Sequence, residues 1–535
     1  MLPLLTGPSS PRLDRRALIA GAGGLIVSAC AKPIPAEGSN PVATTVAGKV
    51  RGDVQSGVNV FKGVRYGLST AGARFLAPTK PQHWSDVKDA LEYDNSSPQG
   101  PAGNGGGLYA SWANPRPQSE DCLFLNVWTK GLGDGKKRPV MVWFHGGGFA
   151  TGSGSSLAYD GVRLANRGDV VVVTVNHRLN AFGYTYLAEI GGPLFADSGN
   201  VGNLDMIQAL EWVRDNIAAF GGDPGKVLIF GESGGGSKVS TLMAMPAAQG
   251  LFHRAVVQSG STLAVQTKAE ATENARKLLV ACGLQSNDAS GLQALPYDQI
   301  VAALSKPGLE LRLGPVVDEK NLPRQPFTPD APAGTKSVPM LIGTTKDEQA
   351  ILSGARDKTL FDLTWETLPA KLAEGLKGRG LDIGKVIAAY RGYYPAMTPA
   401  RVYFDAVTEA GMRRNAILQA ERKDAAGGAP AFMYLLNWET PVDAGRWGSP
   451  HALDIAMMFD NVAKSSSFVG AGAAQAQKVA DAMSDAWIRF ARDGDPGWPA
   501  YTAATRTTMV FDVASQPVND PRAGERVLFA KAGLA

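Results

Sequence analysis

An apolar run and a helix-like segment are joined by a dense group of glycines at residues 226–245. The stretch KVLIFGES is typical of a buried strand and SKVSTLMAM of a helix, so Ser233 lies on the turn between them. A nucleophile on such a sharp turn requires small neighbours two positions to either side, and here these are Gly231 and Gly235. A glycine-rich linker would lack the flanking strand and helix. The context therefore predicts that Ser233 is a catalytic nucleophile.

Further apolar runs alternate with helical segments around this turn. Three near-continuous runs are typical of central strands covered on both faces. They are residues 123–128, 139–146 and 169–178. Apolar residues recur at three- and four-residue steps from Leu204 to Ile217, which predicts one face of a helix. Residues 95–118, rich in Gly, Pro, Asn and Ser, predict a long surface loop. The alternation predicts an α/β fold with a large, mostly parallel central sheet flanked by helices.

Composition limits the partners of the chain. A formal net charge of +4 over 535 residues is too small to indicate nucleic-acid binding. The sequence has no zinc-type Cys/His spacing and no phosphate-binding loop, so we expect neither a metal nor an organic cofactor. Three cysteines exclude a disulfide-dense fold, and we expect Cys122 and Cys282 to be two separate buried thiols.

The N-terminus has the order of an export signal. Arginines precede a short apolar run from Ala17 to Val27, which is too short to span a bilayer. The Arg15-Arg16 pair resembles a twin-arginine signal. The stretch VSAC, which ends at Cys30, also resembles a lipoprotein cleavage box, and ordinary cleavage nearby is the alternative. We expect export, either to a bacterial periplasm or to a membrane through a lipid anchor on Cys30.

The chain divides into three parts by composition. Residues 1–29 are predicted to be the export signal, residues 30–41 a flexible tether, and residues 42–535 a single catalytic domain. No internal repeat divides the last part. The sequence leaves the oligomeric state open.

A serine hydroxyl is a poor nucleophile near neutral pH and requires a base within hydrogen-bond reach. Where a nucleophile follows a strand in this way, the acid and then the histidine come later in the chain. Of the five histidines, only His253 and His451 follow Ser233. His253 is too close to the turn to leave room for an acid on another strand. The order therefore leaves His451 as the base.

The acid is expected between Ser233 and His451. The run VPMLIGTT at 338–345 predicts a strand, and the turn after it carries Asp347 and Glu348. Acids at the ends of neighbouring strands can face a shared site, but they can equally form a solvated surface pair. The residue types do not choose between Asp347 and Glu348.

Developing negative charge on a substrate requires donors that are already in place. The stretch HGGGF at 145–149 ends a predicted strand with three glycines, which let the backbone approach a ligand closely. It resembles the oxyanion loop of esterases. With the backbone N–H of Gly234, those of Gly147 and Gly148 are expected to form an oxyanion hole, each donor worth about 10²–10³ in rate.

From about Val46 to the C-terminus, the sequence resembles the type-B carboxylesterases, which include cholinesterases and bacterial p-nitrobenzyl esterases. SEDCLFLNVW resembles the family's second signature, and FGESGGG resembles its nucleophile signature, with Gly234 where alanine is usual. GNVGNLDMIQALEWVRDNIAAFGGDP is the most diagnostic stretch. His177 stands where the family usually has tyrosine. The resemblance implies the α/β-hydrolase fold.

The resemblance also implies acyl transfer by a Ser-Glu-His triad without a cofactor. It assigns Ser233 as the nucleophile and His451 as the base. It favours Glu348 as the acid, because GTTKDEQ aligns its glutamate with the acid of the family. The oxyanion donors that it implies are Gly147, Gly148 and Gly234.

Structural features follow from the same resemblance. It implies two ion pairs of the scaffold, Arg178 with Asp205 and Arg74 with Glu120. The family often has a cysteine partner for the residue at 122, but this chain has Ser97 there, so that disulfide is not expected.

The sequence predicts a serine carboxylesterase acting on a small-molecule ester, and it leaves other functions to weigh. Non-catalytic binding proteins of the family usually lose the serine or the histidine, and both are present here. A lipase would be expected to carry an apolar lid, and residues 95–118 are not markedly apolar. A third alternative is an esterase selective for a bulky or polycarboxylated ester, similar to the bacterial fumonisin esterases. Arg446 could face such an anionic substrate, although surface charges are usually only solvated.

Overall fold

The computed structural model describes residues 40–100 and 107–530, which belong to one compact unit starting at Asn40. The predicted export signal, Cys30 and most of the predicted tether lie outside the described residues, so these assignments stay predictions. None of the described helices is both long and apolar enough to cross a membrane.

Fourteen strands lie in the described part of the chain. They are β1 (Val42–Thr44), β2 (Lys49–Arg51), β3 (Asp53–Gln55), β4 (Val58–Arg65), β5 (Lys88–Asp89), β6 (Phe124–Thr129), β7 (Arg138–Phe144), β8 (Val171–Val175), β9 (Gly222–Glu232), β10 (Arg254–Gln258), β11 (Met340–Thr345), β12 (Ala431–Leu436), β13 (Thr507–Phe511) and β14 (Gln516–Asn519). The three apolar runs predicted as strands are β6, β7 and β8, and each is buried along its whole length.

Eleven of these strands form one sheet, in the order β14-β13-β12-β11-β10-β9-β7-β8-β6-β4-β3. The central strands from β13 to β8 are parallel to one another. The outer pairings, β13 with β14 and those among β8, β6, β4 and β3, are antiparallel. Strands β1, β2 and β5 form a separate small sheet. The predicted large, mostly parallel sheet is confirmed.

Seventeen α-helices accompany the strands in the described residues. They are α1 (Val162–Gly168), α2 (Asn180–Tyr184), α3 (Ala188–Gly191), α4 (Val201–Asn216), α5 (Gly234–Leu242), α6 (Lys268–Ala281), α7 (Ala289–Ala294), α8 (Tyr297–Leu304), α9 (Glu348–Leu352), α10 (Leu368–Gly375), α11 (Ile383–Tyr393), α12 (Pro399–Thr408), α13 (Arg414–Ala426), α14 (Leu453–Met458), α15 (Ser466–Val469), α16 (Ala473–Asp493) and α17 (Ala523–Phe529). The helix predicted from Leu204 to Ile217 is α4.

Both faces of the large sheet are covered, because successive side chains of a strand point to opposite sides. In β7, Val142 and Phe144 pack into the core that α4, α5 and α13 cover. Met141 and Trp143 of the same strand pack into the other core, against α1, α14 and α16. Near-continuous apolar strands are the sequence signature of this two-sided burial.

The segment at 95–118 differs from the predicted surface loop. Ser96 and Ser97 are buried at its start, and a 3₁₀-helix at Gly107–Trp112 buries Trp112. The indole ring of Trp112 stacks on Phe468, with ring centroids 4.1 Å apart. The prediction was wrong for these residues because glycine and proline content does not reveal that an aromatic side chain has a distant partner.

Both ion pairs that the resemblance implied are present. The Arg178 guanidinium lies 2.6 Å from Asp205, and that of Arg74 lies 2.5 Å from Glu120, all four side chains being buried. The two cysteines in the described residues, Cys122 and Cys282, are unpaired. Cys122 is buried as expected, whereas Cys282 is only half-buried, so the expectation of two buried thiols was wrong for Cys282.

Candidate active site

Ser233 occupies a strained turn between β9 and α5. Its backbone has φ 58° and ψ −124°, a region that non-glycine residues rarely adopt and that costs roughly 1–3 kcal/mol. The Ser233 N–H donates to the carbonyl of Gln258 at 2.8 Å, which ties the turn to the end of β10. A Cβ on Gly235 would lie 2.0 Å from the Phe144 carbonyl oxygen, and one on Gly231 would lie 2.5 Å from the carbonyl carbon of Gly235. The turn therefore needs both glycines, as the sequence predicted.

The glycine loop that follows β7 lies against this turn. Gly147 and Gly148 both have positive φ, 92° and 60°, which favours glycine there. A Cβ on Gly234 would lie 2.6 Å from the Gly148 nitrogen. The backbone of the loop and the first residue of α5 are thus in direct contact. The structure brings two of the predicted oxyanion donors, Gly148 and Gly234, into contact beside Ser233, and Gly147 precedes Gly148 in the loop.

Glu348 opens α9, just after β11 ends, and its side chain is fully buried. One carboxylate oxygen accepts hydrogen bonds from the Ser259 hydroxyl at 2.6 Å and from the Thr345 N–H at 2.9 Å. The other carboxylate oxygen pairs with Nδ1 of His451. Of the two acids that the residue types left open, Glu348 is therefore the one that holds the histidine.

Asp347 has a different role in the geometry. Its carboxylate accepts from the Ser449 N–H at 2.9 Å and lies 3.3 Å from the Arg401 guanidinium. The side chain is 3% exposed, so the alternative of a solvated surface pair is wrong. Asp347 fixes the segment that leads into His451 without contacting the imidazole.

The second imidazole nitrogen of His451 faces another carboxylate. Nε2 lies 3.1 Å from Oε1 of Glu232, the residue that ends β9 immediately before Ser233. Among the hydrogen bonds of the described residues, none joins the Ser233 hydroxyl to His451. Catalytic contacts of this kind are often long in an unliganded enzyme and tighten with substrate.

Buried carboxylates set the electrostatics around the imidazole. Burial lowers the pKa of His451, but Glu232 and Glu348 outweigh burial and raise this pKa to about 9. Burial raises the pKa of Glu232 well above its ordinary value, although His451 opposes the shift. Burial also raises the pKa of Asp454, whose carboxylate accepts from Gln258 at 3.0 Å and from the Tyr434 hydroxyl at 2.7 Å. Glu232 and His451 are thus close enough for the charge of each to shift the pKa of the other.

The sequence reasoning missed several side chains of this site. Glu232 and Lys238 are charged residues inside an apolar strand and a helix of small residues, and such a charge is a signal that could have found them. Ser259 and Asp454 carry no comparable signal, because their roles depend on contacts between distant segments.

The remaining polar candidates lie elsewhere. The His253 imidazole accepts from the Val227 N–H at 3.2 Å, a contact between β9 and the start of β10. Arg446 is exposed, and its guanidinium lies 3.9 Å from the centroid of the Phe361 ring, beside a pocket of about 230 Å³ that Arg401 also lines. In residues 40–100 and 107–530, no group of three or more His, Cys, Asp or Glu side chains is arranged to hold a metal ion.

Comparisons with known proteins agree with this architecture. The family described as Carboxylesterase family matches residues 39–527. The para-nitrobenzyl esterase of Bacillus subtilis (strain 168) is 35% identical over 502 residues, which cover 91% of this chain and 98% of that protein. The phenmedipham hydrolase of Pseudarthrobacter oxydans is 31% identical over 490 residues, covering 88% and 95%. The crystal structure of the Geobacillus stearothermophilus carboxylesterase EST55 matches with a TM-score of 0.78 at 34% identity, covering 91% of this chain and 99% of that chain.

Proposed function

Because this chain belongs to the carboxylesterase family and is a carboxylic ester hydrolase with the α/β-hydrolase fold, we propose that Ser233, His451 and Glu348 form its catalytic triad. The observation that carries the proposal is the buried contact of the Glu348 carboxylate with Nδ1 of His451. This contact leaves Nε2 directed toward the segment that carries Ser233, since Nε2 lies 3.1 Å from the adjacent Glu232.

In the proposed reaction, the Ser233 hydroxyl attacks the ester carbonyl carbon while Nε2 of His451 accepts its proton. The carbonyl oxygen becomes an oxyanion that receives hydrogen bonds from the backbone N–H groups of Gly147, Gly148 and Gly234. His451 then protonates the departing alcohol, which leaves an acyl group on Ser233.

The second half of the reaction repeats these steps with water. His451 takes a proton from water, whose oxygen attacks the acyl carbon and forms a second oxyanion in the same hole. His451 returns the proton to the Ser233 oxygen as the carboxylic acid leaves. The Glu348 carboxylate stabilises the positively charged imidazole through both halves.

Glu232 gives the resting site a second position for the proton. While the pair holds a proton, the negative Glu232 carboxylate stabilises the imidazolium of His451, and Nε2 cannot accept the serine proton. Loss of that proton leaves a neutral imidazole whose Nε2 is free to act as the base. We infer that deprotonation of the Glu232–His451 pair activates the enzyme as pH rises.

For the substrate, we infer a small carboxylic ester, with esters of benzylic alcohols as the first class to test. The B. subtilis relative is named for para-nitrobenzyl esters, and it is similar over nearly the whole of this chain. A bulky or polycarboxylated ester remains the second candidate. The exposed guanidinium of Arg446 beside its pocket is the feature that would favour such an anionic ester.

The experiment compares wild type, Ser233→Ala and Ser237→Ala in hydrolysis of p-nitrophenyl acetate, butyrate and octanoate. Ser237 is the next serine along the chain and serves as the matched control. We expect kcat of Ser233→Ala to fall by about 10⁴–10⁶ and that of Ser237→Ala to stay within a few-fold. Labelling of wild type by a fluorophosphonate, lost in Ser233→Ala, is the companion readout. A folded wild type that neither turns over these esters nor becomes labelled would contradict the proposal and favour a binding protein.

We also propose export directed by residues 1–29, with Cys30 as a candidate lipidated residue. In a bacterial host with a twin-arginine system, we expect a processed N-terminus, and replacement of Arg15 and Arg16 by lysine should block processing. A mature chain that starts at a lipid-modified Cys30 would support the anchor, and an unmodified start nearby would support a soluble periplasmic enzyme. Retention of full-length protein in the cytoplasm would contradict export.

A further inference from the structure

Lys238 is a buried lysine close to the turn at Ser233. It lies on α5, five residues after Ser233, and its side chain is 0% exposed. Its ammonium donates a hydrogen bond to the carbonyl oxygen of His145 at 2.7 Å. His145 is the first residue after β7 and begins the glycine loop at 145–149. Lys238 therefore links the helix that starts at the nucleophile to the loop of the predicted oxyanion donors.

The surroundings of this ammonium contain aromatic rings. Nζ lies 5.6 Å from the centroid of the Phe149 ring, at the other end of the same loop. The His145 and His177 rings stack with centroids 4.9 Å apart and are the titratable groups that face Lys238. Burial lowers the pKa of both imidazoles well below its usual value, and Lys238 lowers it further, so both rings are neutral. Of these three groups, Lys238 is therefore the one that can carry a positive charge behind the loop.

No carboxylate in the described ranges lies within 4.0 Å of the Lys238 ammonium. Buried lysines are normally paired with an acid, because an unpaired buried charge is costly. Burial alone lowers the pKa of Lys238 well below its ordinary value. Such an arrangement weakens the fold relative to an apolar side chain of similar size, so packing does not account for a lysine here.

We propose that Lys238 is a positioning residue of the oxyanion hole, and this inference rests on the proposed function. The carbonyl and the N–H of one peptide unit point in opposite directions. Anchoring the His145 carbonyl therefore also fixes the N–H of Gly146, the residue that leads into Gly147 and Gly148. When protonated, the amino group also places positive charge behind the donors, which favours the developing oxyanion over the neutral ester. Lys238 acts through the loop and touches no substrate atom.

The test replaces Lys238 by methionine, which keeps an unbranched side chain one atom shorter and removes the donor and the charge. The matched control is Lys423→Met. Lys423 is also buried and also donates to a backbone carbonyl, that of Ala429, but it lies on α13. For each enzyme, kcat and KM are measured with p-nitrophenyl butyrate, together with the inhibition constant of a trifluoromethyl ketone. The ketone adds the serine hydroxyl and forms a stable oxyanion in the hole.

We expect Lys238→Met to lower kcat by about 10- to 100-fold, with KM within about twofold. The affinity for the trifluoromethyl ketone should fall by a similar factor, because both quantities depend on the oxyanion. Lys423→Met should change neither kcat nor the affinity for the ketone by more than about twofold. If folded Lys238→Met matches Lys423→Met in both quantities, or loses kcat but keeps full affinity for the ketone, the proposal is wrong.

Lys238→Gln replaces the methionine variant if that protein does not fold, with the same joint loss of kcat and ketone affinity expected. Fluorophosphonate labelling of wild type, and its loss in Ser233→Ala, tests the proposed function separately. If wild type is labelled normally but the Lys238 variant keeps both its kcat and its affinity for the ketone, only the role of Lys238 is overturned. Absent labelling of wild type would overturn the proposed function itself.

Discussion

Oε1 of Glu232 lies 3.1 Å from Nε2 of His451, while Glu348 occupies the opposite nitrogen of the same imidazole. The imidazole is therefore held between two buried carboxylates. Glu348 pairs with Nδ1, and Glu232 faces Nε2, the nitrogen that the proposed mechanism assigns to the serine proton. In that mechanism, the charge of Glu232 affects the protonation of the base.

Replacing Glu232 by glutamine should move the pH dependence of activity. The carboxylates raise the pKa of His451 to about 9, so in wild type the basic imidazole gains population as pH rises toward that value. Glu232→Gln removes one of the two charges, which lowers the pKa of His451 and shifts the acid limb of kcat/KM by about one pH unit or more toward lower pH. The measurement is kcat/KM from pH 5 to 10. Glu366→Gln, at an exposed acid, is the control, and an identical limb in both variants would contradict the prediction.

Glu348→Gln should lower kcat by about 10⁴, because a neutral amide cannot stabilise the imidazolium or hold the correct tautomer. The matched control is Asp347→Asn at the adjacent acid, which contacts Ser449 and Arg401 and does not contact His451. We expect Asp347→Asn to destabilise the protein and to reduce kcat far less. Steady-state kinetics with p-nitrophenyl acetate distinguish the two, and an equal loss in both variants would refute Glu348 as the acid.

Gly235→Ala should destroy the catalytic turn. Its Cβ would meet the Phe144 carbonyl oxygen at 2.0 Å, so β7 and the start of α5 must separate. We expect a loss of at least about 3 kcal/mol in the free energy of unfolding and of at least about 100-fold in kcat. The control is Gly392→Ala on α11, where a Cβ meets nothing within 4 Å and helix propensity predicts a gain of about 0.5–1 kcal/mol. The measurements are unfolding in urea and kcat for both variants. If the turn were not constrained, Gly235→Ala and Gly392→Ala would change the free energy of unfolding and kcat equally.

Arg178→Met should cost about 3–5 kcal/mol in the free energy of unfolding, because it leaves the fully buried Asp205 carboxylate without its partner. The double variant Arg178→Met with Asp205→Leu should recover part of this loss, since no buried charge is then unpaired. Arg214→Met is the control, because its pair with Asp215 is exposed and worth about 0–1 kcal/mol. Unfolding in urea gives all three values. A double variant less stable than Arg178→Met would argue against this account.

The predictable parts of this protein were those encoded by local sequence. Runs of apolar residues in β6, β7 and β8 predicted buried strands, because only a strand covered on both faces tolerates such a run. Gly231 and Gly235 predicted the turn at Ser233, because no other residue type fits the close approach of backbone atoms. The order of residues along the chain then left His451 as the one histidine available to this serine.

The parts that could not be predicted depend on distances between segments far apart in the sequence. The choice between Asp347 and Glu348 depends on one residue of register after β11, and sequence spacing alone does not fix it. The partner of Lys238 is a backbone carbonyl on another strand, and a carbonyl has no sequence signature. Trp112 was assigned to a surface loop because its stacking partner, Phe468, is separated from it by most of the chain.

The strands that support the site have a consequence for how the enzyme loses activity. Strands β7, β9, β10 and β11 are neighbours in the sheet, and cores on both faces cover them. Their amide hydrogens should exchange with solvent only when the whole sheet opens. The segments that hold Ser233 and Glu348 are continuous with these strands, so catalytic geometry and global fold should disappear in one cooperative step. Heating would then give the same midpoint for inactivation and for unfolding.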